Sequence, residues 1–410
     1  MAGRVIRALE AVGIFLSAVI FVVLVSDLAG YNLSSYILGS VFPVTITPEK
    51  LQATYKTAKI KVLVVPGHDN ETVGAVFRGL NETDLTLEVA KHLVGYFKKD
   101  PRFEVFTTRD FASGEYTKEF ATFFTANAED IRSFRAQLRK NMRQLVALGA
   151  VERKVKVARD DAQDDISFRL FGINKWANDN DIDIVLHLHF NDYPAHIRNV
   201  PGKYTGFTIY TPDKQFGNAV ASKELSRVLF DQLATFFAPS DFPLEEGGII
   251  EDQELIALGS NASLKGAAGL IEYGYIYEPQ FQAPAISDVV MAELAYQTYR
   301  GLKNYFGSSI VRPLVFDTTF LPYHWTEVLE SGLKASRSVL ALQAALRREG
   351  AYPPTGKTIQ DCPVNGSFGL CTKAAVTLFQ RRFLKESVNE GELGVVGHKT
   401  ILELNRLYGI

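Results

Sequence analysis

The 410-residue sequence contains only two cysteines, so it builds neither a disulfide-dense scaffold nor a cysteine-rich zinc module. It also lacks an excess of charge, because 44 Lys and Arg residues stand against 46 Asp and Glu residues. That balance excludes a globally basic protein built to bind nucleic acid. No HExxH motif is present, so any metal ligands must come from separate parts of the chain. A hydrophobic content of 47% indicates a folded chain, and the length favours more than one domain.

The first hydrophobic stretch predicts the compartment. Residues 11–25 are almost entirely apolar, and Arg4 and Arg7 precede them. An apolar span of about 20 residues matches the bilayer core, and the arginines indicate a cytoplasmic N-terminus with the bulk of the chain outside. We predict an uncleaved signal anchor, a transmembrane helix, at 1–29. A cleaved signal peptide is the alternative.

Short apolar strands alternate with amphipathic helices between residues 60 and 307. Strands are predicted at 61–65, 103–107, 182–187, 206–211 and 269–273, and helices at 83–99, 217–237 and 285–306. This alternation predicts an α/β fold with a mostly parallel sheet flanked by helices. Chemistry in such sheets gathers beyond the carboxyl ends of the strands.

Composition shifts along the chain predict its division into segments. Two prolines, Pro43 and Pro48, interrupt regular structure after the anchor. A basic helix at 130–148 lies in a longer excursion; the simple interpretation is a solvated face, and a lid or a docking site for a regulatory protein is the alternative. The predicted segments are a tether at 30–59, a catalytic domain at 60–307 with a helical insertion at about 111–168, a linker at 308–334 and a small all-α domain at 335–410.

Four dispersed residues form a candidate catalytic group. His68 and His189 follow or close predicted strands, and Glu82 begins a predicted helix. Two histidines and one carboxylate are a common zinc set in hydrolases, with the fourth position open to water. Glu272 lies at the end of an apolar strand. Burying a carboxylate there costs free energy unless it has a partner, so its presence indicates a partner or a catalytic role.

Taken singly, each of these signals also has a structural interpretation. A lone histidine at a strand end is usually hydrogen-bonded within the fold, and a glutamate at a helix start usually offsets the helix dipole. Dispersed ligands cannot be established from spacing, so both interpretations stay open at this level.

Five motifs in order carry a family resemblance. They are Pro66-Gly67-His68, Gly79-Leu80-Asn81-Glu82, Thr108-Arg109-Asp110, His189-Phe190-Asn191 and Leu270-Ile271-Glu272. Together they resemble the zinc-dependent N-acetylmuramoyl-L-alanine amidases over about residues 61–306. The resemblance implies a phosphorylase/hydrolase-like amidase domain that cleaves the amide between N-acetylmuramic acid and L-alanine in peptidoglycan. It also implies one Zn²⁺ held by His68, Glu82 and His189, with Glu272 as the catalytic carboxylate.

The sequence departs from the family pattern around the first ligand. The family usually has Asp before Pro-Gly-His and Gly-Gly after it, whereas this chain has Val65, Asp69 and Asn70. A residue that supports the zinc ligands is therefore missing or replaced. His187 shares a strand face with His189, so it either binds zinc or orients His189; we favour His189 as the ligand.

Three further residues are predicted to support the site or its scaffold. Asn191 is a candidate for a residue that orients a ligand. Arg169 and Asn174 resemble the family's Arg–Asn helix, which implies an architectural role.

Residues 335–409 resemble the small helical peptidoglycan-binding domain. The motifs that carry the resemblance include Leu342-Gln343, Gly366-Ser367-Phe368-Gly369, Phe379-Gln380 and Gly394-Val395-Val396-Gly397. Cys362 and Cys371 flank its central loop. In an exported protein they are expected to pair; two reduced thiols are the alternative.

The leading hypothesis is a membrane-anchored, extracytoplasmic zinc amidase, with peptidoglycan and the membrane as partners and no nucleic acid. A zinc peptidase that cuts inside the stem peptide is the second hypothesis. A wall-binding scaffold with a degenerate site is the third, and Val65 and Asp69-Asn70 motivate it.

Overall fold

The structure is a computed structural model that describes residues 44–154, 162–310, 314–385 and 387–409. The predicted signal anchor at 1–29 lies outside these residues. Within the described ranges, none of the helices combines the length and the apolar character that a membrane span requires.

A six-stranded sheet forms the centre of the larger unit. Its strands are β1 (Ile60–Pro66), β4 (Phe103–Thr107), β5 (Ile184–Asn191), β6 (Thr208–Pro212), β7 (Ile249–Asp252) and β8 (Ala267–Tyr275). Their spatial order is β4-β1-β5-β8-β6-β7. Only the β6–β8 pair is antiparallel among these neighbours, so the prediction of a mixed α/β fold with a mostly parallel sheet is confirmed. A two-stranded hairpin, β2 (Val76–Phe77) and β3 (Leu80–Asn81), lies beside it.

Helices cover both faces of the sheet because successive strand residues point to opposite sides. Leu186 and Ile271 point into one core, which α2 (Glu82–Lys98), α6 (Ala219–Leu233) and α8 (Pro284–Tyr305) cover. Val185 and Leu270 point into a second core, which α5 (Asp164–Asp179) covers. A short helix, α7 (Pro279–Gln282), precedes α8.

The predicted insertion contributes two helices outside α5. They are α3 (Lys118–Ala126) and α4 (Ala128–Ala147). Phe120 packs on Trp176 with 4.6 Å between ring centroids, and Ile131 is fully buried. Much of the basic face of α4 remains exposed, as the simpler interpretation of its sequence predicts.

The predicted tether at 30–59 is wrong for its last part. Residues 48–57 form helix α1 (Pro48–Thr57), in which Pro48 is the first residue and the Thr47 side chain accepts a hydrogen bond from the Lys50 amide. Proline is well suited to that position because its missing N–H has no helical partner there. Tyr55 stacks on Phe306 at 4.3 Å, so the helix is packed against the domain.

The C-terminal unit is a small helical bundle. Its helices are α9 (Arg337–Arg348), α10 (Leu370–Phe383) and α11 (His398–Tyr408). Each contributes a fully buried apolar residue to a shared core: Leu342, Val376 and Leu404. A disulfide joins Cys362 to Cys371. The segment before the bundle is packed on α8, where Glu293 accepts hydrogen bonds from the Thr319 amide (2.6 Å) and hydroxyl (2.7 Å).

Candidate metal centre

Three of the predicted site residues meet at the carboxyl edge of the sheet. His68 follows β1, His189 lies near the end of β5, and Glu82 is the first residue of α2. These strands are parallel neighbours, so their ends lie side by side. The ligating atoms of the three side chains all lie within 4.8 Å of one another.

Glu82 occupies the middle of this group. Its Oε2 lies 3.1 Å from His68 Nε2, and its Oε1 lies 2.9 Å from His189 Nδ1. The Ala75 and Phe190 amides donate to the same carboxylate at 2.9 and 3.1 Å. Glu82 is 4% exposed, and these amides hold its two oxygens toward the two imidazoles.

Two glycines allow this close approach. A Cβ at Gly67 would overlap the His189 imidazole, and a Cβ at Gly74 would overlap the Glu82 carboxylate and the His68 ring. Gly74 also has φ +76°, a conformation that L side chains rarely adopt. The loop between β1 and β2 thus depends on small residues at the points where the three side chains converge.

The charges of the group are coupled. Burial raises the pKa of Glu82, but the neighbouring His68 and His189 outweigh it, and the net pKa lies below the ordinary value. Burial lowers the pKa of His68, but Glu82 and Asp69 outweigh it, and the net pKa lies above the ordinary value. In the protonated state, the imidazolium charges compensate the buried carboxylate. When the imidazoles are neutral, a divalent cation can take over this compensation and bind the imidazole nitrogens as well.

Glu272 lies beside this group on the neighbouring strand. It is the register partner of His189 in the parallel pair of β5 and β8, and it is 8% exposed. Register partners point to the same face of a sheet. The fourth predicted site residue therefore lies at the same edge and on the same face as the candidate ligands.

His187 is not a member of the group whose ligating atoms converge. It is 1% exposed, and its ring centroid lies 6.5 Å from that of His189. Burial, with a smaller effect from His189, lowers the pKa of His187 to about 3. The side chain is therefore neutral at ordinary pH.

The side chain of Asn191 contacts a carboxylate outside the group of candidate ligands. The sequence predicts that it orients a ligand, whereas its amide donates to Glu245 Oε1 at 2.7 Å. Glu245 is buried and also accepts from the hydroxyl groups of Tyr210 (2.8 Å), Ser240 (2.5 Å) and Tyr275 (3.1 Å). No local sequence pattern marks Glu245 as part of this network, because its partners come from four separate parts of the chain.

A fully buried arginine holds the loop that carries the first ligand. Arg109 donates to the His68 carbonyl and to the Gly114 carbonyl, and its Nη2 lies 3.4 Å from the Thr83 hydroxyl. His68 has φ 63°, which is uncommon for a residue other than glycine. Arg109 therefore holds the strained backbone of His68, a candidate ligand, and contacts Thr83, which follows the candidate ligand Glu82.

The departure from the family pattern at Asp69 coincides with an ion pair. Arg169 of α5 pairs with Asp69 and with Glu71. Asp69 Oδ1 also accepts from the Thr72 amide and hydroxyl, both at 2.8 Å. This network closes the turn that follows His68. The sequence predicted an architectural role for Arg169, and its contact with the loop that carries His68 gives that role a specific place.

A cavity of about 100 Å³ opens beside the candidate ligands. His68, His187 and His189 line it on the sheet side. The opposite wall comes from one side of α5, where the spacing i, i+3, i+4, i+7 aligns four residues: Ile166, Arg169, Leu170 and Ile173. Of the described insertion residues, only Tyr116 and Ile166 line the cavity.

The donor set fits a divalent transition metal. Imidazole nitrogens and a carboxylate oxygen are the ligands of catalytic zinc sites with an open position. The described residues contain a second group of this kind, Glu88, His92 and Asp288. There Lys91 already pairs with Glu88 at 3.0 Å, so that group carries its own permanent cation.

The fold and the converging side chains define an α/β domain with a candidate metal centre at the carboxyl ends of its strands. The chain belongs to the Amidase_3 family, N-acetylmuramoyl-L-alanine amidase, whose family model matches residues 62–304. It is therefore a hydrolase of the amidase type, with the peptidoglycan of the cell wall as its substrate.

Solved structures with detectable similarity carry the same family name. An N-acetylmuramoyl-L-alanine amidase from Clostridium difficile 630 is 17% identical, with a TM-score of 0.38, and the match covers 61% of this chain and 98% of that chain. The catalytic domain of CwlV from Bacillus (Paenibacillus) polymyxa var. colistinus is 16% identical, with a TM-score of 0.39, and the match covers 61% and 99%. No curated protein matches the sequence.

Proposed function

We propose that the chain is a zinc-dependent amidase that hydrolyses the bond between N-acetylmuramic acid and L-alanine. The observation that carries the proposal is the convergence of His68, Glu82 and His189 within 4.8 Å, beside Glu272, in a chain of this family. The matched range, 62–304, contains all four residues.

In this proposal, His68, Glu82 and His189 hold the metal ion. When bound, zinc supplies a Lewis acid that polarises the scissile carbonyl and lowers the pKa of water. The Ala75 and Phe190 amides keep the Glu82 carboxylate oriented toward both imidazoles, and Arg109 keeps the His68 backbone in place. The protein thus supplies a rigid ligand set whose geometry does not depend on the substrate.

Glu272 is the proposed general base and acid. Its carboxylate accepts the proton of the attacking water and then donates it to the leaving amine of L-alanine. Its position beside His189 brings it to the edge where the substrate amide would lie. A positioned carboxylate of this kind contributes about 10²–10⁴-fold to the rate.

The remaining segments are proposed to localise the enzyme. The segment at 1–29 would anchor it to the membrane with the domain on the extracytoplasmic side, and the helical unit at 335–410 would bind peptidoglycan. Tethering to an insoluble polymer raises the local concentration of substrate. A regulatory protein at the insertion, 111–168, is also proposed, because the basic face of α4 is exposed.

Digestion of purified peptidoglycan tests the proposal. The wild type should release peptides that begin with L-alanine and leave the glycan strands intact. Glu272→Gln should lower the rate by about 10²–10⁴-fold, with unchanged zinc content and unchanged co-sedimentation with the wall. New amino ends inside the stem peptide would instead indicate a zinc peptidase, and wall binding without turnover in the wild type would indicate a scaffold.

A further inference from the structure

Arg169 lines the cavity beside the candidate metal centre, and its guanidinium lies over the ring of Tyr116, another lining residue. Arg169 lies in the second turn of α5, and His68 and His189 line the same cavity from the opposite side. Among the residues that line this cavity, Arg169 is the only one with a permanent positive charge. The rest of the α5 wall is apolar, and Asp69, which also lines the cavity, is one of two carboxylates that pair with this cation.

The two carboxylates that bind Arg169 differ in how firmly they are held. The side chain of Asp69 is 10% exposed, and the hydrogen bonds from Thr72 fix it. The side chain of Glu71 is 70% exposed and reaches Arg169 from the solvent side. An exposed ion pair contributes little stability, whereas a buried one is costly to break. The Glu71 half of the guanidinium is therefore the half that another carboxylate can occupy.

The volume of the cavity limits what can enter it. About 100 Å³ is small beside the roughly 300–1,000 Å³ of ordinary ligand clefts. A small acidic group fits such a space, and a sugar ring belongs outside it. The peptide side of the scissile amide therefore suits this cavity better than the glycan side.

We infer that Arg169 binds a carboxylate of the substrate peptide, and that Glu71 occupies this position in the free protein. The inference rests on the proposed function, because it assumes that the scissile amide lies at the candidate metal centre. A guanidinium binds a carboxylate through two parallel hydrogen bonds and distinguishes it from a carboxamide by charge. The carboxylate belongs to the residue that follows L-alanine, the first one beyond the scissile bond with an acidic group.

A purely structural role for Arg169 makes a different prediction. Through Asp69, Arg169 closes the turn after His68, so its loss could loosen the ligand loop alone. A structural role would change metal retention and activity on every substrate equally. A recognition role would change the preference between two substrates that differ in one charge.

Two matched substrates separate these roles. They are muramoyl peptides whose second residue carries either a free carboxylate or the corresponding carboxamide. We expect the wild type to favour the carboxylate form in kcat/KM by about tenfold or more, as for a hydrogen bond to a charged group. Arg169→Gln should remove the preference, and Arg169→Lys should keep part of it because the charge remains. Zinc content should stay at the wild-type level in both variants.

Glu71→Gln is the sharpest variant, because it leaves the Arg169–Asp69 pair intact. It should increase kcat/KM for the carboxylate substrate through a lower KM and leave the carboxamide substrate unchanged. Equal rates on both substrates in the wild type, with no effect of Glu71→Gln, would overturn the inference. So would a parallel loss of zinc and of both activities in Arg169→Lys.

A binding measurement keeps this test independent of turnover. Calorimetry with the two free peptides that begin with L-alanine compares their affinities for the wild type and for Glu71→Gln. Tighter binding of the carboxylate peptide, enhanced by Glu71→Gln, supports the inference, and equal affinities contradict it. Absence of hydrolysis in the wild type would contradict the proposed function alone, and this binding result would still decide the role of Arg169.

Discussion

Two buried carboxylates at opposite edges of the sheet have different kinds of partner. At the amino edge, Asp100 is 2% exposed and binds the Lys303 ammonium at 2.8 Å and the Tyr299 hydroxyl at 2.8 Å. At the carboxyl edge, Glu82 is 4% exposed and lies against His68 and His189. The first carboxylate has a permanently charged partner, and the second has two partners whose charge depends on bound protons.

This difference separates a structural site from a chemical one. The partners of the Asp100–Lys303 pair all belong to the fold, since Lys303 also donates to the Tyr55 hydroxyl at 2.8 Å and Asp100 also accepts from the Arg102 amide at 3.0 Å. When His68 and His189 are deprotonated, each has a neutral imidazole nitrogen with a free lone pair, and such nitrogens bind metal ions. A buried carboxylate therefore indicates function when its partners are groups that can exchange a proton for a cation.

The largest predicted effect comes from breaking the carboxyl-edge group. Glu82→Gln removes the only negative charge among the three candidate ligands, and we expect zinc retention and amidase activity to fall to background. The free energy of unfolding should change less than it does at the amino edge, because His68 and His189 remain partly solvated. Metal analysis and wall digestion check the first two outcomes. Glu88→Gln, in the second His–carboxylate group, is the matched control and should retain both properties.

The next effect comes from breaking the amino-edge pair. Asp100→Asn leaves the Lys303 charge buried without its counter-ion, so the free energy of unfolding should fall by about 3–5 kcal/mol. Activity per folded molecule should stay at the wild-type level. Denaturant unfolding at neutral pH measures the loss, and a change below about 1 kcal/mol would mean that the pair is not a structural anchor.

The pH dependence of that loss sharpens the comparison. Burial raises the pKa of Asp100, but the hydrogen bonds from Lys303 and the Arg102 amide outweigh it, and the net pKa is below the ordinary value of 3.8. A lowered pKa stabilises the fold above pH 3.8, and this contribution is lost as the pH falls through the folded-state pKa. The difference between the wild type and Asp100→Asn should therefore be constant at neutral pH and shrink below about pH 4. A difference that grows on acidification would contradict this assignment.

The smallest predicted effect belongs to His187. Its Nε2 is buried without a hydrogen-bond partner among the described residues, so His187→Leu replaces an unsatisfied polar group by an apolar one. We expect the free energy of unfolding to stay within about 1 kcal/mol of the wild type. Zinc content should also be unchanged. A strong loss of zinc in this variant would make His187 a ligand and would require a different metal group.

Local patterns in the sequence predicted most of the sheet and the candidate ligands. The strand at 103–107 has the same bounds in the structure, and the helix predicted at 285–306 is α8. Strand β7 was not predicted, because it has only four residues, two of them acidic, and so shows no clear alternation of apolar and polar side chains. Helix α1 escaped because Pro48 also marks turns, and only the cap at Thr47 identifies it as a helix start.

The contacts that hold the site together could not be predicted, because they join residues that are far apart in the sequence. Asp69 and Arg169 are 100 residues apart, and no local pattern links them. Asn191 was predicted beside a ligand on the basis of its motif, but the choice of Glu245 as its partner depends on the loop that precedes β7. The residue types of a site can thus be read from motifs, whereas the residues that hold them in place emerge only from tertiary packing.

The most direct test of the central claim is a zinc titration of metal-stripped protein by calorimetry. The wild type, His189→Ala and His92→Ala would be compared, because His92 belongs to the second His–carboxylate group on the same domain. We predict one tightly bound zinc ion per chain in the wild type and in His92→Ala, and no tight site in His189→Ala. Tight binding that survives in His189→Ala and disappears in His92→Ala would contradict the account.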